Sequence, residues 1–383
     1  ILSSQLKKQI HFLNYIKKWR ISMKFYNTLQ LDPIVLKKYV RESRTTKEKK
    51  YYLYAIIIRA ILLVIFSIIY ISTLTTFFGQ KNSSMAVVLF CALLSIRFVD
   101  FGYKITHSLI SLAVIFIILL ISPLLMLNIS PFLGLIVNFL SILTILVLSC
   151  EKPEMGNGGL YIFGYVFLSG TQIGPSVFYQ RAQMTFVGYL ILASILYIKH
   201  RHKHKNISLH QVLNDFDIYN QKSQWQIQIA FIMSALFFIG NFFNLNHFMW
   251  VGFACSSLIT SYPININERL INRALGAFIG SFLFAIITPI IPSSLATLYG
   301  PISGLCLGFS SSYRSKTIFN CFGALLMASS IYGIKEAVYL RIVNNLIGLI
   351  FGYIFFQIFQ KFFIQRCLSK TISNKKTLNP YNY

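Results

Sequence analysis

Twelve apolar runs, most of them near the length of a bilayer crossing, constrain this chain more than any other feature. A spanning helix takes roughly 20 predominantly apolar residues, at a rise of about 1.5 Å per residue. Such runs occupy residues 53–78, 84–96, 107–128, 131–149, 158–175 and 183–199. They resume at 226–244, 247–261, 271–292, 295–310, 316–333 and 338–363. The second and eighth are short for a crossing, but charge and internal similarity both require them. Only 12% of the residues are charged while 55% are hydrophobic, roughly half the charge of an average soluble domain. The expected fold class is therefore all-α integral membrane, with twelve transmembrane helices.

Lys and Arg number 35 against 10 acidic residues, a formal net charge of +25. The cations sit in the tails and between the runs, which is how membrane topology signals are distributed and is not the footprint of a nucleic-acid partner. One cluster includes Lys37, Lys38, Arg41, Arg44, Lys47, Lys49 and Lys50. A second reads Lys199-His200-Arg201-His202-Lys203-His204-Lys205, and a third includes Lys361, Arg366, Lys370, Lys375 and Lys376. Six helices on either side of the middle cluster put all three on the cytoplasmic side, with both termini there. The expected organisation is a basic cytoplasmic segment at 1–52, six helices over 53–199, and a linker at 200–225. Six more helices follow over 226–363, with a basic tail at 364–383. Residues 1–22 carry neither the apolar stretch nor the cleavage site of a signal peptide. Met23 opens a second plausible beginning.

The two sets of six resemble each other. Tyr179-x-Arg181 with Gly188 recurs as Tyr339-x-Arg341 with Gly348, 160 residues later. Met85, Val87 and Cys91 recur as Met249, Val251 and Cys255, and Gly164 corresponds to Gly323. Each match alone is weak; three in order at nearly one offset predict two parallel six-helix repeats about an axis along the membrane normal.

In such repeats, short or broken helices at matching places point to the transport site. Helix five holds several glycines and then Thr171-Gln172 before Gly174-Pro175. Small residues also serve close packing, which accounts for most of these glycines; Thr171 and Gln172 are less easily explained in hydrocarbon. Arginine at the membrane is the sharper sign of function. Arg59 lies six residues into the first run, where it can snorkel to headgroups or face a path. Arg181 and Arg341 form a matched pair on the sparsely charged side, suited to clamping a carboxylate or to capping their helices. Arg269 and Arg273 head helix nine, where the helix dipole adds positive potential. They can draw an organic anion or simply mark topology. For proton coupling the candidates are His107, Asp100 and Glu268.

The remaining patterns exclude more than they propose. Six cysteines lie in or beside apolar runs, without a CxxC pair or zinc spacing, and read as buried small hydrophobes. The His200/His202/His204 alternation is interleaved with four cations, which opposes a metal. No phosphate-binding loop, HExxH helix or GxSxG elbow occurs, so neither catalysis, a metal nor a cofactor is expected.

Residues 250–284 resemble the FUSC family, also called the fusaric acid resistance or aromatic acid exporter family. The likeness rests on Trp250 in a short helix, Pro263 in the following loop, and Arg273-Ala274-Leu275-Gly276-Ala277-Phe278-Ile279-Gly280. In that family the pattern is Arg-x-x-Gly-Thr-x-x-Gly, and here Ala277 stands in place of the Thr. Residues 23–60, with Tyr26-Asn27-Thr28-Leu29, Asp32-Pro33 and Arg59, are similar to the start of small FUSC-like proteins of Gram-positive bacteria. The resemblance implies a six-plus-six helix exporter of organic, often aromatic, carboxylates in the bacterial cytoplasmic membrane, using the proton gradient. It also implies an alternative, since related plant proteins look like anion channels. A third reading is a non-transporting scaffold whose basic loops bind anionic lipids. The sequence leaves monomer and homo-oligomer open.

Overall fold

The computed structural model describes residues 25–364 except 172, 244–247, 264, 293–294 and 296–297. Among these residues every regular element is helical, as expected of backbone that must satisfy its own hydrogen bonds in hydrocarbon. A short helix α1 (Pro33–Glu42) precedes α2 (Thr46–Phe78), α3 (Ser83–Ile96), α4 (Ile105–Leu125), α5 (Pro131–Ser149), α6 (Asn157–Ser169) and α7 (Pro175–His200). Then follow α8 (Leu209–Asn214), α9 (Gln221–Phe242), α10 (Phe248–Ile259), α11 (Ile266–Ile290), α12 (Tyr299–Phe309), α13 (Tyr313–Tyr332) and α14 (Ile334–Phe359). Each apolar run overlaps one of these helices among the described residues.

Seven helices are long and apolar enough to cross a membrane: α2, α4, α5, α7, α9, α11 and α14. Helices α3 and α10 are apolar but span only 14 and 12 residues, roughly 21 and 18 Å at the α-helical rise. The helix ends depart from the apolar runs where local chemistry intervenes. Helix α2 starts seven residues before its run because Thr45 Oγ1 caps Glu48 N at 3.2 Å, and cations continue a helix into water freely. Helix α7 starts at a proline, which suits the first helical position because its missing N–H would be unpaired there. Between α6 and α7, Gly170 lies against Met249, whose Cβ stands 2.6 Å from where a side chain would begin.

Packing divides the helices into two compact units that do not follow chain order. The first comprises residues 1–68 and 278–338, and so holds α1, α12 and α13 with parts of α2, α11 and α14. Close approach organises it: Gly308 meets Ala60 and Gly304 meets Val64 across α12 and α2. Ser303 Oγ donates to the Phe319 carbonyl at 2.7 Å between α12 and α13.

The second unit comprises residues 69–277 and 339–383 and contains the largest apolar core, with Leu112, Ile115, Ile142, Leu146, Ile162, Ile229 and Met233 all fully buried. Helices α5 and α9 pack along much of their length. Glycine contacts hold the short helices α3 and α10. Gly164 of α6 and Gly188 of α7 fit against Val88 and Leu89 of α3. Gly252 of α10 meets Val166 of α6, and Gly348 of α14 meets Val251 and Ala254 of α10. Inside the bundle Tyr165 Oη donates to Asn138 Oδ1 at 2.6 Å, and Ser122 and Ser141 share a hydrogen bond at 2.9 Å. Such pairs join helices because lipid offers polar groups no alternative partner.

Two glycine substitutions should move stability in opposite directions. A side chain at Gly348 would collide with the Val251 carbonyl and lie 2.8 Å from Ala254 Cβ, so Gly348→Val should cost about 1–3 kcal/mol. Gly323, mid-helix in α13, has nothing within 4 Å. Gly323→Ala should gain up to about 1 kcal/mol in helix propensity. Thermal unfolding of the purified chain in detergent reads both.

Candidate functional site

Of the arginines expected to meet an anion, Arg181 is buried, at 3% exposure, in the second turn of α7. Its guanidinium faces a cage of neutral oxygens. Nε donates to Asn82 Oδ1 at 3.1 Å and Nη1 to the Thr171 carbonyl at 3.2 Å. Nη2 lies 3.3 Å from both the Lys81 carbonyl and Ser84 Oγ. Asn82 is held in turn by donating to the Phe78 carbonyl at 2.8 Å. Residues 80–84, the end of α6 and the start of α7 therefore meet on one side chain. Four charge-assisted hydrogen bonds leave little of this guanidinium for a ligand, and its geometry is that of a clamp.

Arg341 occupies the matching position in α14. It is 4% exposed and its guanidinium carbon lies 5.1 Å from the centroid of the Trp250 ring in the first turn of α10, a favourable cation–π distance. Arg181 thus reaches the start of α3 and Arg341 the start of α10.

Arg269 and Arg273 lie one turn apart on α11. Arg269 donates through Nε and Nη2 to the Ser257 carbonyl, at 3.0 and 2.7 Å, and so satisfies the exposed end of α10. Arg273 shares the buried face of α11 with Ile266, Leu270 and Ala277 and is 8% exposed, yet its Nε has no hydrogen-bond partner. No ion pair reaches it among the described residues. A buried cation without a partner is costly. The Phe253 ring stacks on Phe163 of α6 at 5.1 Å between centroids, with Phe167 at 5.9 Å.

The titratable candidates are engaged elsewhere. Asp100, 9% exposed, accepts from Gly102 N at 2.9 Å. Its carboxylate lies 3.4 Å from Lys203 Nζ, 3.4 Å from His204 Nε2 and 3.5 Å from His200 Nδ1. Nearby the Lys104 amide donates to the Ile207 carbonyl, and the Leu209 amide donates to His107 Nδ1 at 3.0 Å. The α3–α4 loop and the linker after α7 are therefore zipped together. Glu151 and Lys222 pair at 2.6 Å at the same end of the unit. Burial pushes the Tyr103 phenol well above its ordinary value, so it remains protonated and donates to the Leu148 carbonyl at 2.6 Å.

Glu268 accepts from Asn265 on the exposed start of α11. Arg59 is half-buried in α2. Thr171 Oγ1 donates to the Phe167 carbonyl at 2.9 Å, which answers how that polar residue is accommodated. Gln172 lies outside the described residues. The histidine alternation resolves into His200 and His204 on Asp100 and His202 beside Arg201. Among the described residues no cluster suits a metal ion.

Sequence reading did not single out Asn82, Ser84 or Phe253. The signal for the first two was a pair of polar residues bordering a short apolar run. For Phe253 there was none, because it is one phenylalanine among 35.

Residues 227–355, about a third of the chain, match the family described as fusaric acid resistance protein-like. No curated protein and no solved structure matches the chain. The family match spans α9 to α14, including Trp250, Arg269, Arg273 and Arg341. Together with the seven long apolar helices among the described residues, this similarity supports a multi-pass membrane protein.

Removing the Arg181 side chain strands several buried acceptors at once. Arg181→Ala should therefore lower stability by about 3 kcal/mol or more, and Arg181→Lys, which cannot reproduce the fork, by somewhat less. Detergent melting curves with yield of folded protein test this. Asp100→Ala should leave the core intact but open the linker, seen as faster limited proteolysis within residues 201–220.

Proposed function

We propose, from the membership of residues 227–355 in the fusaric acid resistance-like family, that this membrane protein exports organic anions of the aromatic carboxylate class. Transport is secondary, and the proton gradient supplies the driving force. The observation that carries the reading is Arg273, 8% exposed and with its Nε lacking a hydrogen-bond partner. A planar carboxylate fits a guanidinium in two parallel hydrogen bonds. The stacked Phe163–Phe253 pair suits the aromatic body of such a solute. The family's own description refers to fusaric acid, a pyridine carboxylate.

In this reading α3 and α10 are the short central helices of two parallel six-helix repeats. The matched contacts Gly188–Leu89 and Gly348–Val251 support that symmetry, as do the matched reaches of Arg181 and Arg341. The Arg181 cage then holds its repeat together while the Arg273 side binds, which divides labour between residues that look alike in sequence. Basic ends, and with them both termini, face the cytoplasm of a bacterial cell, where the anion is collected. Asp100 and His107, held in the loop-to-linker seam, serve as coupling groups only if that seam opens during the cycle.

Arg273→Ala should reduce counterflow of hydroxybenzoate-type acids in proteoliposomes at least tenfold. Its melting temperature should be unchanged or higher, because an uncompensated buried charge is removed. Unaltered flux in the variant would refute the site. Absence of flux in the wild-type chain across a broad acid panel would refute the activity itself. Unitary conductance in planar bilayers would make the protein a channel in place of a carrier.

A further inference from the structure

The first unit carries a surface that anion transport does not use. Helix α1 is seated firmly: Leu36 is fully buried and packs with Ala55 and Ile56 of α2. Tyr39 lies 5.3 Å from Tyr52 between ring centroids, and Thr28 Oγ1 shares a hydrogen bond with Tyr51 Oη at 3.2 Å. Lys37 Nζ donates to Ser311 Oγ at 3.3 Å. These contacts set the depth of α1 along α2. Residues 47–50 of α2 are charged or cationic, residues 51–54 are rich in tyrosine, and exposed apolar side chains begin with Leu53 and Tyr54. Tyrosine belts mark the plane between headgroups and acyl chains, so α1 lies at headgroup depth.

Its outward stripe has a composition to match. Ile34, Lys37, Lys38 and Arg41 stand at positions i, i+3, i+4 and i+7, one face of a helix. That face lies away from Pro33 and Leu36, which are buried. Ile34 is 55% exposed and the Lys38 side chain 69% exposed. The Lys38–Glu42 pair, at 3.8 Å in solvent, is too weak to occupy that cation. Between residues 32 and 50 seven cations face three acids.

We propose that α1 is an interfacial anchor that binds anionic phospholipid headgroups, with Lys37, Lys38 and Arg41 on the phosphates and Ile34 inserted at the acyl boundary. The occupant is lipid because the stripe is held beside the tyrosine belt, where headgroup phosphates are concentrated and free anions are not. Each cation near an anionic surface contributes roughly fivefold in affinity, reduced here by the Ser311 and Glu42 contacts.

The test uses the full chain in non-ionic detergent, with its melting temperature followed as phosphatidylglycerol is added. The wild-type protein should be stabilised by this lipid and much less by phosphatidylcholine. The Lys37→Ala/Lys38→Ala/Arg41→Ala variant should need at least tenfold more phosphatidylglycerol for half the effect. Ile34→Ser, which leaves the buried face untouched, should weaken the response without removing it. A control of equal charge, Lys199→Ala/Arg201→Ala/Lys205→Ala in the linker, should respond as the wild type does. Any of three results would overturn the proposal: a normal response from the α1 variant, an equal loss in the linker control, or equal stabilisation by inorganic phosphate or phosphatidylcholine.

Discussion

A polar group inside hydrocarbon has only the protein itself to bond with, and the arrangement of this chain follows from that scarcity. Backbone groups meet the requirement by forming helices. Helices α3 and α10 are among those too short to cross, and their ends are answered by side chains from elsewhere. Arg181 answers the start of α3 by binding Asn82, Ser84 and the Lys81 carbonyl. Arg269 answers the end of α10 through the Ser257 carbonyl, and Arg341 covers its start by lying over Trp250. The glycine contacts that press α6, α7 and α14 against the short helices bring these side chains within reach. Packing and hydrogen bonding are thus one device here, and neither would persist without the other.

The same scarcity makes Arg273 conspicuous. Arg181, Arg269 and Arg341 each reach a group on another segment, while Arg273 is buried and its Nε has no hydrogen-bond partner. Acidic residues that might neutralise it are committed at the basic end, Asp100 to Lys203 and two histidines, and Glu151 to Lys222. In that setting an organic anion would supply what the fold withholds. A transporter needs such an interaction to be incomplete at rest, since a site already satisfied by its own protein gains little from a solute. The cage around Arg181 and the bare side of Arg273 illustrate two opposite uses of one residue type.

Much of the helical layout was legible before any coordinates. Apolar runs of sufficient length, bounded by cations, define helices because the solvent of the fold is lipid, and each run overlaps a helix among the described residues. The ends were less legible. Helices α2 and α7 begin well before their runs because charged residues and proline favour helix starts outside hydrocarbon, where hydropathy is silent. The candidate arginines were also visible, as charge in apolar surroundings is rare enough to stand out. Their division into clamps and a binding candidate was not visible. Arg181 and Arg273 differ only in what lies opposite them, and the partners of Arg181 come from residues about 100 positions away in the chain.

Composition and periodicity by themselves therefore determined that this protein is helical, lives in a bilayer, and carries its charge at the ends of its helices. They did so because transfer into hydrocarbon is a property of each segment taken alone. Tertiary structure decided which short helices are braced, which buried arginine Nε is left unpaired, and that His200 and His204 gather on Asp100. It also set α1 at the depth of the tyrosine belt. Those outcomes depend on which groups from distant segments come within about 3 Å of one another, and no local pattern encodes that proximity.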